Sequence, residues 1–170
     1  MTVRAQAKIN LYLEVLGRRR NGYHDIRSIV VPVSLYDVVE LETAPRAVET
    51  VVTDSSVVGG SALCLAKPSE NLATRAALAL KKATGHVGGA RIRIEKNIPV
   101  GGGLGGGSAD AAAALAGLNR LWRTGLEKPE LAAIGFQVGC DVPALVLGGA
   151  VLMEGLGERV SVVAGAGKQD

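Results

Sequence analysis

Over the first fifty residues apolar and polar side chains alternate, the period of a strand, and turn residues interrupt the runs. Residues 9–16 and 26–35 read as strands joined across a tip at 18–24, and 38–42 and 48–52 continue the sheet-like character. From Ser69 the period changes. Leu72, Ala76 and Leu80 fall on one face at i, i+4 spacing, Ala73 and Ala77 flank them, and Gly85 closes the segment, which predicts an amphipathic helix. The alternation Arg91-Ile92-Arg93-Ile94 predicts a strand over 90–95. A second helix is expected over 109–122, its alanines permitting close packing, and Pro129 opens a third. After Gly139-Cys140-Asp141-Val142-Pro143 come an apolar stretch at 144–147, a Gly148-Gly149 break, and strands near 150–153 and 159–163. Strands precede helices without strict βαβ alternation, which favours α+β over a doubly wound sheet.

The chain has 170 residues, 48% of them hydrophobic, enough for one domain with a real core. Its formal charge is a modest +3, and the densest basic cluster, Arg18-Arg19-Arg20, sits directly before the turn signal Asn21-Gly22. That reads as a solvated hairpin tip. Nucleic acid is not expected as a partner, because a surface for it wants basic residues interleaved with aromatics, and the aromatics are only Tyr12, Tyr23, Tyr36, Trp122 and Phe136. Cys64 and Cys140 lie far apart without metal-ligand spacing, so neither a disulfide framework nor a zinc site is indicated, and a reducing cytoplasm fits. The first residues lack the apolar core of a signal peptide, and no run approaches the roughly 20 apolar residues of a membrane span. The tail 164–170 is small and polar and is expected to be disordered.

The candidate chemistry centres on Pro99-Val100-Gly101-Gly102-Gly103-Leu104-Gly105-Gly106-Gly107-Ser108-Ala109. Without Cβ atoms such a loop can take positive φ and aim successive N–H groups into one concavity, and a helix opening near Ser108 adds its unpaired N–H groups and positive dipole end. A di- or triphosphate is the natural guest. A Walker A loop fails here, because Gly107 stands where its lysine is required. The dinucleotide fingerprint is met literally by Gly101, Gly103 and Gly106. It lacks the following strand with its acidic end, since the helix ending near Trp122 leads to Thr124-Gly125 and Lys128-Pro129. Two charged residues stand out elsewhere. Lys8 lies in an otherwise apolar strand pattern, either as a partly buried ammonium in need of a counter-charge or on the solvent side of an edge strand. Asp141 precedes Val142-Pro143, where a turn or helix-end carboxylate is the plain alternative to a catalytic one.

Taken with Ala7-Lys8-Ile9-Asn10-Leu11, Gly22-Tyr23-His24 and Gly139-Cys140-Asp141-Val142-Pro143, the loop resembles the GHMP kinase superfamily of galactokinase, homoserine kinase, mevalonate kinase and phosphomevalonate kinase. The resemblance runs from Ala5 to about Glu158. It implies the N-terminal domain of that family over residues 1–163, a mixed sheet packed against helices. The implied activity is ATP-dependent phosphorylation of the 2-hydroxyl of 4-diphosphocytidyl-2-C-methyl-D-erythritol, in non-mevalonate isoprenoid synthesis. Asp141 would accept or orient the hydroxyl proton, and Lys8 beside it would offset the developing charge. Pro99 to Ala109 would hold ATP, with the Ser108 hydroxyl close to Mg²⁺ or a phosphate oxygen and with Lys96 and Asn71 touching the nucleotide. Lys96 and Asn71 also suit plain surface and capping roles. Tyr23 would stack on the cytosine of the cytidine diphosphate substrate, His24 would bond its edge, and Asn10 would contact polar groups near the phosphates or the methylerythritol.

Two departures from the family pattern stand out. The second aromatic of the cytosine sandwich is missing from Ser28-Ile29-Val30-Val31-Pro32-Val33, so one face of the base is expected to meet Val30 or its neighbour. Nothing after Met153 supplies the third glycine-rich motif of a C-terminal domain, which leaves a homodimer or a partner chain as a replacement for the missing wall. A non-catalytic nucleotide-binding or interaction module therefore competes with the kinase. A kinase for homoserine, mevalonate or a sugar is disfavoured by Gly22-Tyr23-His24, since those acceptors need no platform for a base.

Overall fold

The computed structural model describes residues 1–20, 22–54 and 70–163. In chain order the elements are β1 (Thr2–Arg18), β2 (His24–Ala44), β3 (Val48–Asp54), α1 (Leu72–Thr84), β4 (Gly89–Lys96), α2 (Gly106–Leu121), α3 (Lys128–Phe136), α4 (Val142–Leu147), β5 (Val151–Gly155) and β6 (Arg159–Val162). The strands form one six-stranded sheet in the order β3-β4-β2-β5-β6, with β1 paired along β2. Only β3 and β4 run parallel, so the sheet is mixed. The α+β class read from the pattern holds.

Several boundaries move. The runs at 26–35 and 38–42 are one strand, β2, which changes partner along its length: Val38 to Ala44 pair with β4, Ile26 to Val30 with β5. Local alternation could not reveal this, because a partner change is a long-range event. The first strand begins at Thr2, α2 opens at Gly106 rather than at 109, and the apolar stretch at 144–147 belongs to a short helix, α4. Helix α1 is capped by Asn71 and ends at Gly85 in the left-handed conformation (φ 68°). Ser69, Cys64 and the tail 164–170 lie outside the described residues.

The core lies between the sheet and α1 and α2, where Leu41, Leu80, Ile92, Ile94, Leu115 and Leu118 are fully buried. Each such side chain contributes about 1.5 to 3 kcal/mol. The alternation in β4 sends Ile92 and Ile94 inward, while Arg91 and Arg93 stand in solvent near Glu40, Glu42 and Glu49. Helix α2 lies close to the sheet because Gly117 leaves room for Leu41, with which a Cβ would collide. A smaller cluster of Val30, Ala144, Val151 and Met153 joins β2 to α4 and β5.

Strand β1 is an edge strand with register breaks against β2 at Gln6/Lys8, Asn10/Tyr12 and Val15/Gly17. Such breaks bend a strand and redirect its side chains. At the first, Lys8 stands opposite Pro32, which has no N–H to give to the ladder, and the Lys8 N–H points away from β2 and donates to the carbonyl of Leu104 in the glycine loop (2.9 Å). One irregularity thus ties the opening strand to the loop. Among the described residues no helix is long and apolar enough to cross a membrane.

Candidate active site

The glycine loop joins β4 to α2. Gly101, Gly103 and Gly105 take φ of 78°, 72° and 69°, values that only glycine adopts without strain. Gly105 is doubly constrained, because a Cβ there would sit 2.9 Å from Cγ of Lys8. The loop, with Asn71, Leu72, Lys96 and Ile98, walls a cleft of about 240 Å³. Helix α2 opens into this region with no acidic residue in its first turn. Its free N–H groups and positive end therefore face a concavity suited to an anion.

Lys8 is nearly buried. Its Nζ donates to Oδ1 of Asn10 at 2.7 Å and lies 3.3 Å from Oδ2 of Asp141. Asp141 occupies the N-cap position of α4, but its backbone is helical there and its side chain makes no capping bond. The plain capping reading of this carboxylate therefore fails, and its charge turns to Lys8. Ser108 is a half-buried neighbour: its Oγ faces Gly139, two residues before the aspartate, 3.7 Å from where a Cβ would stand. Lys8, Asn10, Asp141, Leu104, Gly105 and Ser108 thus converge from the first strand, the loop and the turn before α4.

Asn71 and Lys96 line the cleft, yet both already have internal partners. The Asn71 side-chain oxygen accepts from the N–H groups of Ala73 (2.8 Å) and Thr74 (3.3 Å), capping α1. Lys96 is no surface lysine. It is buried and donates to Asp37 and to Asp110 (2.8 Å). Asp37 also accepts from the N–H groups of Asn97 (2.5 Å) and Ile98 (2.7 Å), which pins the exit of β4 where the loop begins. Burial pushes the Asp110 carboxyl up to about 7 against the pull of Lys96, with Asp37 pushing the same way as burial. Burial opposes the Lys96 charge, but the two carboxylates outweigh it and raise its pKa. The acidic partners were not anticipated, although an aspartate in the apolar run Tyr36-Asp37-Val38-Val39 is a signal for a buried counter-charge.

Tyr23 and His24 are exposed at the β1–β2 tip. The tip does not project freely. Arg19 donates to Asp25 and reaches Glu158 at 3.6 Å in the β5–β6 turn, and Gly157 of that turn packs against the Cys140 carbonyl beside Asp141. This strap, which local sequence patterns do not reveal, links the base of the tip through the β5–β6 turn to the residue before the aspartate. One expectation is corrected: Val30 is buried against Ala144, Val151 and Met153 and offers no face to a base. In a strand held by two neighbours, its inward register was fixed by pairing with β5.

The comparisons define the class: the chain belongs to the GHMP kinase family, whose description "GHMP kinases N terminal domain" matches residues 71–149, the span that holds the glycine loop and Asp141. Several of the similar relatives bear one name. The 4-diphosphocytidyl-2-C-methyl-D-erythritol kinase of Symbiobacterium thermophilum is 49% identical over 167 residues, covering 98% of this chain and 56% of its own length. A Shewanella protein of the same name is 42% identical over 159 residues, 94% of this chain and 54% of its own. A crystal structure of 4-(cytidine 5'-diphospho)-2C-methyl-D-erythritol kinase superposes with a TM-score of 0.76 at 37% identity, covering 96% of this chain and 55% of that one. The mevalonate kinase of Methanococcus jannaschii, at 16% identity and a TM-score of 0.67, shares the fold. The chain spans about half the length of the curated relatives it matches.

Proposed function

We propose that this chain carries the phosphoryl-transfer site of a kinase that moves the γ-phosphoryl group of ATP to the 2-hydroxyl of 4-diphosphocytidyl-2-C-methyl-D-erythritol, with residues 1–163 as its GHMP N-terminal domain. The observation that carries the reading is the Lys8–Asp141 pair, 3.3 Å apart at the mouth of the glycine loop. Asp141 orients the acceptor hydroxyl and takes its proton, and Lys8 offsets charge as the phosphoryl group passes. The loop and the α2 N-terminus hold the nucleotide phosphates in line with that hydroxyl. Tyr23 stacks on the cytosine, His24 bonds its edge, and Asn10 meets polar groups near the phosphates or the methylerythritol. A free, exposed Cys140 beside the site suits a reducing cytoplasm.

Among the described residues no group of three or more His, Cys, Asp or Glu is placed to hold a metal ion. Mg²⁺ needs no such cage, because it keeps several waters and binds phosphate oxygens. The half-buried Ser108 hydroxyl at the loop–helix junction fits that limited demand. When bound, Mg²⁺ neutralises phosphate charge.

A coupled ADP-release assay with the cytidyl substrate tests the proposal. Turnover that depends on that substrate supports it. Binding of CDP without turnover would replace it with a non-catalytic nucleotide-binding module, and turnover only with another small alcohol would change the acceptor.

A further inference from the structure

Ser28 is fully buried on β2, between the positions Ile26 and Val30 that face the smaller apolar cluster. An apolar residue would suit such a place better, since a hydroxyl withdrawn from water costs free energy unless it is hydrogen-bonded. Its bonds lead to the site. Leu11 is the extra residue at the second register break of β1, where Asn10 pairs with Val30 and Tyr12 with Ile29. There the Ser28 hydroxyl donates to the Tyr12 carbonyl at 2.7 Å, and the Asn10 amide nitrogen donates to the Ser28 oxygen at 2.7 Å.

The donor and acceptor inventory leaves one direction for this chain of bonds. A carbonyl only accepts, so the Ser28 hydrogen is committed to Tyr12, and Ser28 can receive from Asn10 only through a lone pair. The nitrogen of the Asn10 amide must therefore face Ser28 and its oxygen must face Lys8, whose ammonium only donates. Flipping the amide would oppose two donors at Lys8 and two acceptors at Ser28. We propose, on the basis of the kinase reading, that Ser28 is a positioning residue: its hydroxyl fixes the orientation of the Asn10 amide and thereby holds the Lys8 ammonium beside Asp141. A buried hydroxyl one strand away thus sets the geometry of a group that it never touches.

The test uses the hydroxyl alone as the variable. Ser28→Thr keeps it, and Ser28→Val replaces it by a methyl group of the same shape, so any strain from added volume is common to both. Ser28→Val and Ser28→Ala are expected to lower kcat about 10- to 100-fold with KM for ATP within about twofold of wild type. Ser28→Thr is expected to retain kcat. On an Asn10→Ala background, Ser28→Ala should cost nothing further, because its effect runs through Asn10. Equal losses in Thr and Val, or fully additive losses with Asn10→Ala, would overturn the proposal. A second readout needs no turnover: NMR of ¹⁵N-labelled protein should show the Asn10 side-chain amide exchanging slowly in wild type and Ser28→Thr, and quickly in Ser28→Val. Unchanged exchange in Ser28→Val would refute the role, whereas a wild-type chain without activity would count against the kinase reading alone.

Discussion

Lys8 and Asp141 form an unequal pair: the ammonium side chain is 9% exposed, while the carboxylate 3.3 Å away keeps 30% of its surface open. One partner is held by the fold and the other is available to a ligand. That asymmetry is what a proton acceptor beside a fixed counter-charge requires. Replacing Asp141 by asparagine keeps its shape and removes its basicity. We expect Asp141→Asn to lower kcat by about 10²-fold or more, with little change in melting temperature. Lys8→Ala should likewise reduce kcat far more than stability. ADP release decides the matter, and near wild-type turnover in either variant would remove the assignment.

Gly105 is held by two separate constraints, its φ of 69° and the Lys8 stem lying over it. Gly101 shares the first (φ 78°) but has open space where a Cβ would stand. Gly105→Ala should therefore be the more damaging change, displacing Lys8 as well as straining the backbone by roughly 1 to 3 kcal/mol. Calorimetric titration with ADP is expected to show Gly105→Ala binding weaker than Gly101→Ala. Equal affinities would mean that the contact with Lys8 does not constrain the loop.

Asp110 gives a pH dependence of definite sign. Its carboxyl is raised from 3.8 to about 7 in the folded chain, so between those values the native state holds a proton that the unfolded state releases. Its contribution to stability is accordingly full below about pH 4 and is lost as pH rises through 7. Asp110→Asn removes the titration. Urea midpoints measured from pH 4 to 8 should show the variant gaining on wild type as pH rises, with the gap levelling above 7. A gap independent of pH would contradict this account of Asp110 beside Lys96 and Asp37.

Tyr23 is 61% exposed at the hairpin tip, where an aromatic face can take a base. Stacking of that kind is worth about 1 to 3 kcal/mol. Tyr23→Ala is expected to weaken CDP binding about 5- to 100-fold while leaving ADP affinity as it was. Parallel loss of both affinities would point instead to a structural role for the tip.

The strands, the first three helices and the glycine loop were legible because each is written in neighbouring residues. Ile92 and Ile94 alternate with arginines, Leu72, Ala76 and Leu80 recur on a helical face, and glycines mark the positive φ values of the loop. The lysine of the first strand and the aspartate before α4 were named through their motifs. Lys96 was legible as a position but not as a role, since its partners Asp37 and Asp110 come from β2 and α2. The unity of β2, the inward face of Val30 and the Arg19–Glu158 strap were hidden for the same reason.

By itself, then, the amino-acid order determined which segments alternate, which turn helical and where the backbone can cradle an anion, because steric and hydrophobic periods act over a few residues. Tertiary structure alone decided how charges meet. It placed Lys8 over Gly105 and against Asp141, turned the Asn10 amide through Ser28, and buried Lys96 between two carboxylates. Those contacts join residues from distant parts of the chain, and their strength depends on removal from water, which only the packed sheet and helices supply.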